Sequence, residues 1–418
     1  MGKLNQFDCQ WRKPYGARMP VISKVALRNY KSIASCRVDL RALTFLVGPN
    51  GSGKSNFLDG LRFTSDALRT SLDHALRDRG TIKEVRRRSG GHPNHFAIRI
   101  DLSLPTGGLG HYSFRVGAKP SGGFEVQNEE CKISFGNGGL KEAFFHIGDG
   151  KIIASSEEVL PPSISDRLFL VAAAGLPEFR PVYDALSRMS FYNLNPKEIS
   201  AMQKPDAGEL LAREGWNSAS VFAKLPEPTK EEIANYLGRI VSGVSGVDAK
   251  VLGSQETLEF RQGVKGQKHP WRFLASSMSD GTLRAFGILL ALFQGRGRNG
   301  DAPTLVGLEE PEAALHPAAA GVLLAALREA STISQVVVTS HSPDLLDDQN
   351  IPDESILAVE SKDGVTIIGP VDEAGRSVLQ DKLFTPGELL RQNQLTPSAE
   401  SFEDVKDEQQ LKLFELAQ

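Results

Sequence analysis

The sequence lacks any long hydrophobic run and contains few cysteines. Its longest apolar stretch, residues 286–293 of 418, is interrupted by Gly287. A membrane-spanning helix needs roughly 20 apolar residues, so this stretch is too short. The N-terminal residues are polar and contain no apolar signal core. The three scattered cysteines form neither a disulfide framework nor a zinc-binding spacing. We therefore expect no membrane association and a reducing, cytoplasmic location.

A strong charge of one sign is also missing. The 48 Lys and Arg residues nearly balance the 51 Asp and Glu residues, and the net charge of −3 argues against a globally basic nucleic-acid binder. Residues 77–88 nevertheless form a local basic segment. Its basic residues are Arg77, Arg79, Lys83, Arg86, Arg87 and Arg88. They indicate either a patch for DNA or an acidic partner, or an ordinary solvated surface. No aromatic residues are interleaved with them for stacking on single strands.

Repeats and sustained heptads are absent, so a long coiled coil is excluded. The runs 305–308 and 336–338 are apolar on both faces, which is typical of parallel strands covered by helices. The pattern predicts an α/β fold, a mixed sheet flanked by helices with an inserted, mainly helical lobe. The expected segments are a loose N-terminal extension (1–18), a first α/β lobe (19–149), the inserted lobe (150–270), a second α/β lobe (271–385) and an acidic C-terminal tail (386–418).

Helical periodicity predicts further elements within two of these segments. In the inserted lobe, helices are expected near residues 165–175, 179–190 and 229–242. A short helix is expected in the tail, where the apolar residues are Phe402, Val405, Leu413 and Leu416. The tail helix is either solvated or a docking element for a partner.

Residues 48–55 read Gly-Pro-Asn-Gly-Ser-Gly-Lys-Ser and match the phosphate-loop pattern G-x-x-x-x-G-K-S. They follow an apolar strand predicted at 43–47 and open a predicted helix, which is the context that this loop requires. Glycines allow successive amide N–H groups to point at a phosphate, and the helix N-terminus adds partial positive charge. Lys54 would supply a full charge to the β and γ phosphates, and the Ser55 hydroxyl would bind Mg²⁺. A chance glycine turn is disfavoured by this strand–loop–helix order.

Two adjacent carboxylates, Glu309 and Glu310, end the apolar strand at 305–308. Strand ends in an open α/β sheet face the ligand crevice. Neighbouring side chains point in different directions, so the two carboxylates can have two roles. Glu309 would hold Mg²⁺, and Glu310 would accept a proton from the attacking water. The alternative is a surface turn that leads into a helix.

A histidine follows the next apolar strand, predicted at 335–339. His341 would lie at the carboxyl end of this strand, where it could bind a terminal phosphate or the attacking water. The alternative is a structural histidine that caps the turn before Pro343. The position of His341 after the phosphate loop and the paired carboxylates favours the role at the γ-phosphate.

A second anion site is predicted at the start of the apolar helix 282–294. Ser279 and Gly281 precede it, and a helix N-terminus with serine and glycine binds anions. By itself this pattern is also an ordinary helix cap. One nucleotide has only one triphosphate tail, and the phosphate loop already holds it. The economical interpretation is that Ser279 and Gly281 bind the γ-phosphate of a nucleotide held by another subunit.

Taken together, these motifs resemble the ABC-type ATPase head of the SMC/RecF-like group. Within that group the chain is similar to a compact bacterial AAA family (AAA15/AAA21-type) related to the ATPase half of OLD-family proteins. The matching segments are residues 28–33 (Arg-Asn-Tyr-Lys-Ser-Ile), 48–56, 278–282 (Met-Ser-Asp-Gly-Thr), 308–312 (Leu-Glu-Glu-Pro-Glu) with 315–317 (Leu-His-Pro), and 339–343 (Thr-Ser-His-Ser-Pro).

The resemblance implies binding and hydrolysis of ATP with Mg²⁺, and ATP-driven dimerisation of two heads. The residues implied to contact ATP are Asn50, Gly51, Ser52, Gly53, Lys54, Ser55, Asn56, Ser279 and Gly281. The resemblance also implies a metal role for Glu309, a base role for Glu310 and a switch role for His341. Relatives of this kind occur in anti-phage or toxin-type systems, so we expect a homo-oligomer that senses DNA or controls a separate Toprim-like nuclease or toxin.

The sequence departs from the family pattern in several places. The signature reads Met-Ser-Asp-Gly-Thr instead of Leu-Ser-Gly-Gly-Gln, and the metal-binding acid is Glu309 instead of aspartate. No glutamine lid is recognisable after the first helix. Nothing after residue 370 resembles the acidic cluster of a Toprim nuclease, so we expect that activity on another chain.

Two other functions are compatible with the phosphate loop. The first is a DNA-maintenance protein of the RecF type, in which ATP loads the protein on duplex ends or gaps. The second is the nucleotide-binding subunit of a transporter. The large insertion, the altered signature and the missing lid glutamine argue against the transporter.

Overall fold

The computed structural model describes residues 21–89, 93–104, 107–136, 141–264, 266–297, 302–313, 315–404 and 413–414. The expected extension at 1–18 lies outside these ranges. The strands are β1 (Ile22–Tyr30), β2 (Ile33–Asp39), β3 (Leu43–Val47), β4 (His95–Ser103), β5 (Gly108–Ala118), β6 (Phe124–Phe135), β7 (Lys141–Gly148), β8 (Lys151–Ser155), β9 (Ser190–Tyr192), β10 (Val244–Leu252), β11 (Gln255–Gln262), β12 (Trp271–Leu274), β13 (Leu305–Glu309), β14 (Gln335–Ser340), β15 (Ile356–Lys362) and β16 (Val365–Pro370).

Helices lie between β3 and β4, dominate the first part of the insertion and alternate with the strands from β12 to β14. They are α1 (Lys54–Arg69), α2 (Leu72–Arg77), α3 (Ile82–Val85), α4 (Leu170–Ala173), α5 (Arg180–Ser187), α6 (Pro196–Ser200), α7 (Ser218–Ala223), α8 (Glu227–Ile240), α9 (Asp280–Phe293), α10 (Ala320–Ala330), α11 (Glu373–Gln380), α12 (Pro386–Arg391) and α13 (Ala399–Asp404). None of the described helices combines the length and the apolarity that crossing a bilayer would require.

Thirteen of the described strands form one mixed sheet in the order β8-β7-β6-β5-β4-β1-β2-β16-β15-β3-β14-β13-β9. The strands from β15 to β9 run parallel to one another. The strands from β8 to β2 are antiparallel. Strand β16 joins the two parts, parallel to β2 and antiparallel to β15. The predicted α/β fold, a mixed sheet flanked by helices, is confirmed.

Strand β3 shows why the parallel strands read as continuous apolar runs. Leu46 packs into the hydrophobic cluster that contains Phe57 and Leu61 of α1. Phe45 and Val47 belong to the other cluster, together with Phe286 of α9. Both faces of the strand are therefore buried, so apolar and polar residues do not alternate along its sequence.

The segment expected as an inserted lobe contributes to the main sheet as well as forming its own layer. Strand β9 lies parallel to β13 at the edge of the main sheet. Strands β10, β11 and β12 form a separate antiparallel sheet. Helix α8 packs against β10 and against α9. The insertion is thereby fixed to the helix that follows the predicted serine–glycine signature.

The helix expected at 165–175 is shorter than predicted. Only α4 forms there, because the buried carboxylate of Glu129 accepts hydrogen bonds from the amides of Phe169 (2.6 Å) and Leu170 (2.8 Å). A carboxylate on the first free amides of a helix fixes where the helix starts. The next predicted helix also ends early, since α5 stops at Ser187 and β9 begins at Ser190.

The C-terminal tail is only partly visible in the described ranges. The described part of the predicted helix is α13 (Ala399–Asp404), and Val405 and Leu416 lie outside the described residues. Leu413 and Phe414 are buried against Ala26 and Ala97 of the main sheet. At these two residues the tail packs on the protein and is not a solvated helix.

Candidate active site

The phosphate loop, the paired glutamates and His341 come together at the carboxyl ends of neighbouring strands of the main sheet. The phosphate loop follows β3, the paired glutamates end β13, and His341 follows β14. Because these strands are parallel neighbours, their carboxyl ends lie side by side. Segments separated by more than 200 residues in the sequence thus form one site.

The backbone of the phosphate loop requires its glycines. Gly51 and Gly53 have φ angles of 78° and 104°, in the left-handed region that other residues rarely adopt. Gly53 also caps the N-terminus of α1. A Cβ on Gly48 would lie 2.0 Å from the carbonyl oxygen of Val359, so β15 leaves no space for a side chain there. The loop therefore leads directly into the N-terminus of α1, whose free amides can bind an anion.

We expect Gly53→Ala to abolish ATP binding. The added Cβ would lie 2.0 Å from Oγ1 of Thr366, and alanine disfavours the φ of 104°. Both effects move the loop away from its anion-binding shape. Titration calorimetry with ATP would measure the loss, and a melting curve would show whether the fold survives. Gly321→Ala in α10, where nothing lies within 4 Å of the new Cβ, is the matched control and should bind ATP normally. Normal ATP binding by Gly53→Ala would contradict this account.

Lys54 folds back over its own loop. Its Nζ donates hydrogen bonds to the carbonyl oxygens of Gly48 (2.8 Å) and Pro49 (2.9 Å). Burial lowers the pKa of the ammonium, and the carboxylates of Glu310 and Glu312 oppose this shift. The predicted phosphate-binding charge therefore lies close to the carboxylates at the end of β13.

The other loop residues differ in exposure and in contacts. Asn50, Gly51 and Ser55 are exposed, as a ligand contact requires. Ser52 is buried, and its Oγ has no hydrogen-bond partner. Asn56 donates from Nδ2 to Oγ of Ser32 at 2.7 Å, so its side chain is already engaged within the protein.

The hydroxyl groups of Ser32 and Thr366 hydrogen-bond to each other, and that of Thr366 also hydrogen-bonds to the backbone of the phosphate loop. Oγ of Ser32 lies 2.7 Å from Oγ1 of Thr366, which donates to the carbonyl oxygen of Ser52 at 2.9 Å. Because Thr366 gives its proton to Ser52, Ser32 is the donor in the first of these bonds. Sequence reasoning missed Thr366, which lies in an ordinary strand pattern over 300 residues from the loop.

The two candidate carboxylates at the end of β13 point to different partners, as expected for adjacent residues. Oε1 of Glu309 accepts a hydrogen bond from Nη2 of Arg213 at 3.0 Å. Oε1 of Glu310 lies 3.1 Å from Nδ1 of His341. Arg213 belongs to the loop between α6 and α7, and no sequence pattern singled it out. The inserted lobe thus contacts the carboxylate predicted to bind the metal.

Glu312 is a third acid near the phosphate loop. Its Oε1 accepts a hydrogen bond from Oγ of Ser340 at 2.6 Å, whereas its Oε2 is buried and has no partner. Burial raises the pKa of this carboxyl, and the bond from Ser340 opposes the rise. This contact connects the turn after β13 to the turn that contains His341. In the sequence, Glu312 was marked only by its place in the glutamate-rich segment 309–312.

Ser279 and Gly281 lie at the N-terminus of α9, as predicted. The Ser279 hydroxyl accepts a hydrogen bond from the amide of Thr282 at 3.3 Å and caps the helix. The Ser279 side chain is exposed. Among the hydrogen bonds and ion pairs of the described residues, none joins Ser279 or Gly281 to the phosphate loop of the same chain. The signature residues are therefore not bonded to that loop within one chain.

Comparison with known proteins gives two family matches. Residues 21–100, which include the phosphate loop, match a family described as "AAA ATPase domain". Residues 187–347, which include β9, α9, the glutamates and His341, match "AAA domain, putative AbiEii toxin, Type IV TA system". No curated protein sequence matches the chain significantly. The two family matches together cover every motif that sequence analysis assigned to the site.

Solved structures with a similar fold include heads of SMC proteins. An SMC head with an extended coiled coil from Pyrococcus furiosus, bound to the C-terminal domain of ScpA, aligns with a TM-score of 0.55 at 12% identity, over 87% of this chain and 100% of that chain. An SMC head bound to the C-terminal winged-helix domain of ScpA aligns with a TM-score of 0.50 at 14% identity, over 85% and 99%. The AAA matches on both lobes support an ATP-hydrolysing enzyme of the AAA type, and the fold is similar to that of SMC heads.

Proposed function

We propose that two copies of this ATPase close head to head around ATP and that this switch senses nucleic acid or controls a separate effector, including in anti-phage defence. The observation that supports dimerisation is the position of Ser279. It caps a long helix at the surface, where a helix N-terminus can bind an anion, and its hydrogen bonds among the described residues go to Thr282 and not to the phosphate loop of its own chain. A second copy would supply the phosphate for this helix and would receive one in return, as two-fold symmetry requires.

The other predicted residues fit the chemistry of ATP hydrolysis. The loop amides and Lys54 would hold the triphosphate, and Glu310 would take a proton from the attacking water. His341, 3.1 Å from Glu310, would orient this carboxylate and contact the γ-phosphate. Catalysis in this arrangement depends mainly on placing charge and water correctly around the phosphate.

The donor set also fits Mg²⁺. Mg²⁺ usually binds one or two protein oxygens and takes its remaining ligands from water and substrate phosphates. Ser55 and Glu309 can provide these two oxygens. When bound, the ion would neutralise charge on the β and γ phosphates. Before Glu309 can bind a cation, its contact with Arg213 must open.

We expect Arg213→Ala to strengthen the binding of divalent cations. Arg213 competes with the cation for Glu309, and a partly exposed ion pair contributes about 0.2–1 kcal/mol, which corresponds to about a 1.4- to 5-fold change in affinity. Mn²⁺ binding in the presence of ATP, followed by electron paramagnetic resonance, would measure the change. Arg180→Ala, which removes an exposed pair with Asp184, is the control. Weaker Mn²⁺ binding in Arg213→Ala would mean that Arg213 assists the metal site.

A mixing experiment tests the proposed head-to-head closure. Lys54→Ala and Ser279→Arg should each be inactive alone, because each damages both composite sites of a symmetric dimer. A mixed dimer keeps one intact site, formed by Lys54 of one chain and Ser279 of the other. We expect the mixture to recover ATP hydrolysis up to about one quarter of the wild-type rate, from random pairing in a two-fold dimer.

Light scattering on the same mixture provides a second readout. The ATP-dependent dimer should be absent for each variant alone and should reappear on mixing. If both variants are folded but neither hydrolysis nor the dimer returns, the proposal that two chains share each site is wrong.

The comparisons support a protein partner. The similar SMC heads are described as bound to domains of the separate protein ScpA, and one matching family is described as a putative toxin of a type IV toxin–antitoxin system. By analogy, this ATPase would act on a separate effector such as a Toprim-like nuclease or a toxin. Purification of the tagged chain from its native cells, with and without ATP, would identify that effector.

A RecF-type role in DNA maintenance is the second candidate, and the basic segment supports it only in part. Arg79 is unavailable, since it is 2% exposed and pairs with Asp59 and Asp66. Arg77 and Arg88 remain exposed, although each has an acidic neighbour on its own helix or turn. If this segment binds the DNA backbone, replacing Arg77, Lys83 and Arg88 with Gln should abolish a salt-dependent electrophoretic mobility shift of DNA. No shift for the wild type, with or without ATP, would exclude this role.

A further inference from the structure

Arg284, in the second turn of α9, contacts the main chain of the site instead of its side chains. Its Nη2 donates to the carbonyl oxygens of Glu310 (3.2 Å) and, more weakly, Glu309 (3.5 Å). Its Nη1 donates to the carbonyl oxygen of Leu194, just after β9, at 3.2 Å. One guanidinium group therefore connects the ends of β9 and β13 to the signature helix.

The turn that Arg284 contacts is strained at Glu310. The φ angle of this residue is 43°, in the left-handed region that is unfavourable for side chains other than glycine. Its amide donates to both the carbonyl oxygen and Oγ1 of Thr339, and its carbonyl oxygen accepts from Ala313 as well as from Arg284. Strained residues persist only where surrounding contacts hold them, and they cluster at functional sites.

The position of Arg284 has a cost for folding. Its Nε is buried and has no hydrogen-bond partner. A buried donor without an acceptor is unfavourable, and an apolar side chain at this position would avoid it. The guanidinium is thus poorly explained as a contribution to stability alone, whereas its fork of donors suits three carbonyl oxygens that come from two strand ends.

We propose that Arg284 is a positioning residue for ATP hydrolysis. By holding the carbonyl oxygen of Glu310, it fixes the left-handed turn that directs the carboxylate to within 3.1 Å of His341. Arg284 lies on the same helix as Ser279, five residues further along the chain. A phosphate bound at the N-terminus of α9 and the base at the end of β13 are therefore joined through one rigid helix and one side chain. This inference rests on the proposed role of Glu310 as the base.

The test compares Arg284→Ala and Arg284→Lys with wild type. We expect kcat for ATP hydrolysis to fall about 10- to 100-fold in Arg284→Ala, because small misplacements of a catalytic group have effects of this size. The KM for ATP should change by less than about twofold, since no phosphate-binding group is removed. Arg284→Lys keeps the charge and one donor and should recover part of kcat. Arg239→Lys, on the exposed side of α8, is the control.

Two further measurements separate positioning from simple damage to the fold. Melting curves of the variants without nucleotide should stay close to wild type. The double variant Arg284→Ala with Glu310→Gln should be no slower than Glu310→Gln alone, because Arg284 acts only through Glu310. A wild-type kcat in Arg284→Ala would overturn this inference. So would a rise in KM as large as the fall in kcat, or a double variant whose loss of kcat is the product of the two single losses. A wild-type kcat in Glu310→Gln would instead overturn the base assignment itself.

Discussion

Replacing Glu310 with Gln should lower kcat for ATP hydrolysis about 10²- to 10⁴-fold, the range that a positioned general base contributes. Glutamine has nearly the same shape and can still contact His341, but it cannot accept the proton of the attacking water. Binding of ATP depends on the phosphate loop and should be unchanged. The variant should therefore hold ATP, and on the proposed function it should also accumulate as an ATP-bound dimer.

Single-turnover hydrolysis and light scattering would measure the two effects of Glu310→Gln separately. Glu373→Gln is a suitable control, because Glu373 is an exposed carboxylate in the first turn of α11. If Glu310→Gln hydrolyses ATP at the wild-type rate, another group is the base. Glu312, whose Oε2 is buried without a partner, would then be the first residue to test.

Replacing Lys54 with Ala should weaken ATP binding about 100-fold or more. A hydrogen bond from a charged group contributes about 1.5–3 kcal/mol, and Lys54 would make more than one to the phosphates. In the structure its Nζ already lies among carbonyl oxygens of the loop, 2.8 Å from Gly48 and 2.9 Å from Pro49. The positive charge therefore lies within the loop that is predicted to hold the β and γ phosphates.

Titration calorimetry with ATP would measure the effect of Lys54→Ala. Lys197→Ala, at an exposed position in α6, is the matched control and should bind ATP normally. The melting temperature without ATP must be compared as well, because Lys54 also satisfies two loop carbonyl groups. A folded Lys54→Ala protein with wild-type affinity would contradict the assignment of residues 48–55 as the phosphate loop.

Much of the fold was predictable because the relevant signals are local. The apolar run of β3, the glycines after it and the amphipathic helix α1 follow one another directly in the sequence. The strands β13 and β14 were recognisable because both of their faces are buried. The length of α4 was not predictable, since Glu129, about 40 residues upstream, fixes its start.

The sequence alone was enough to predict which residues have the chemistry of a phosphate site: the loop around Lys54, the pair Glu309 and Glu310, His341 and the capping Ser279. Only the tertiary structure decided which side chains lie beside them. Arg213 contacts Glu309 and Arg284 contacts the backbone of Glu310 because β9 pairs with β13 and α9 packs against β13. Such contacts depend on the pairing of distant strands and leave no local pattern, so the sequence cannot reveal them.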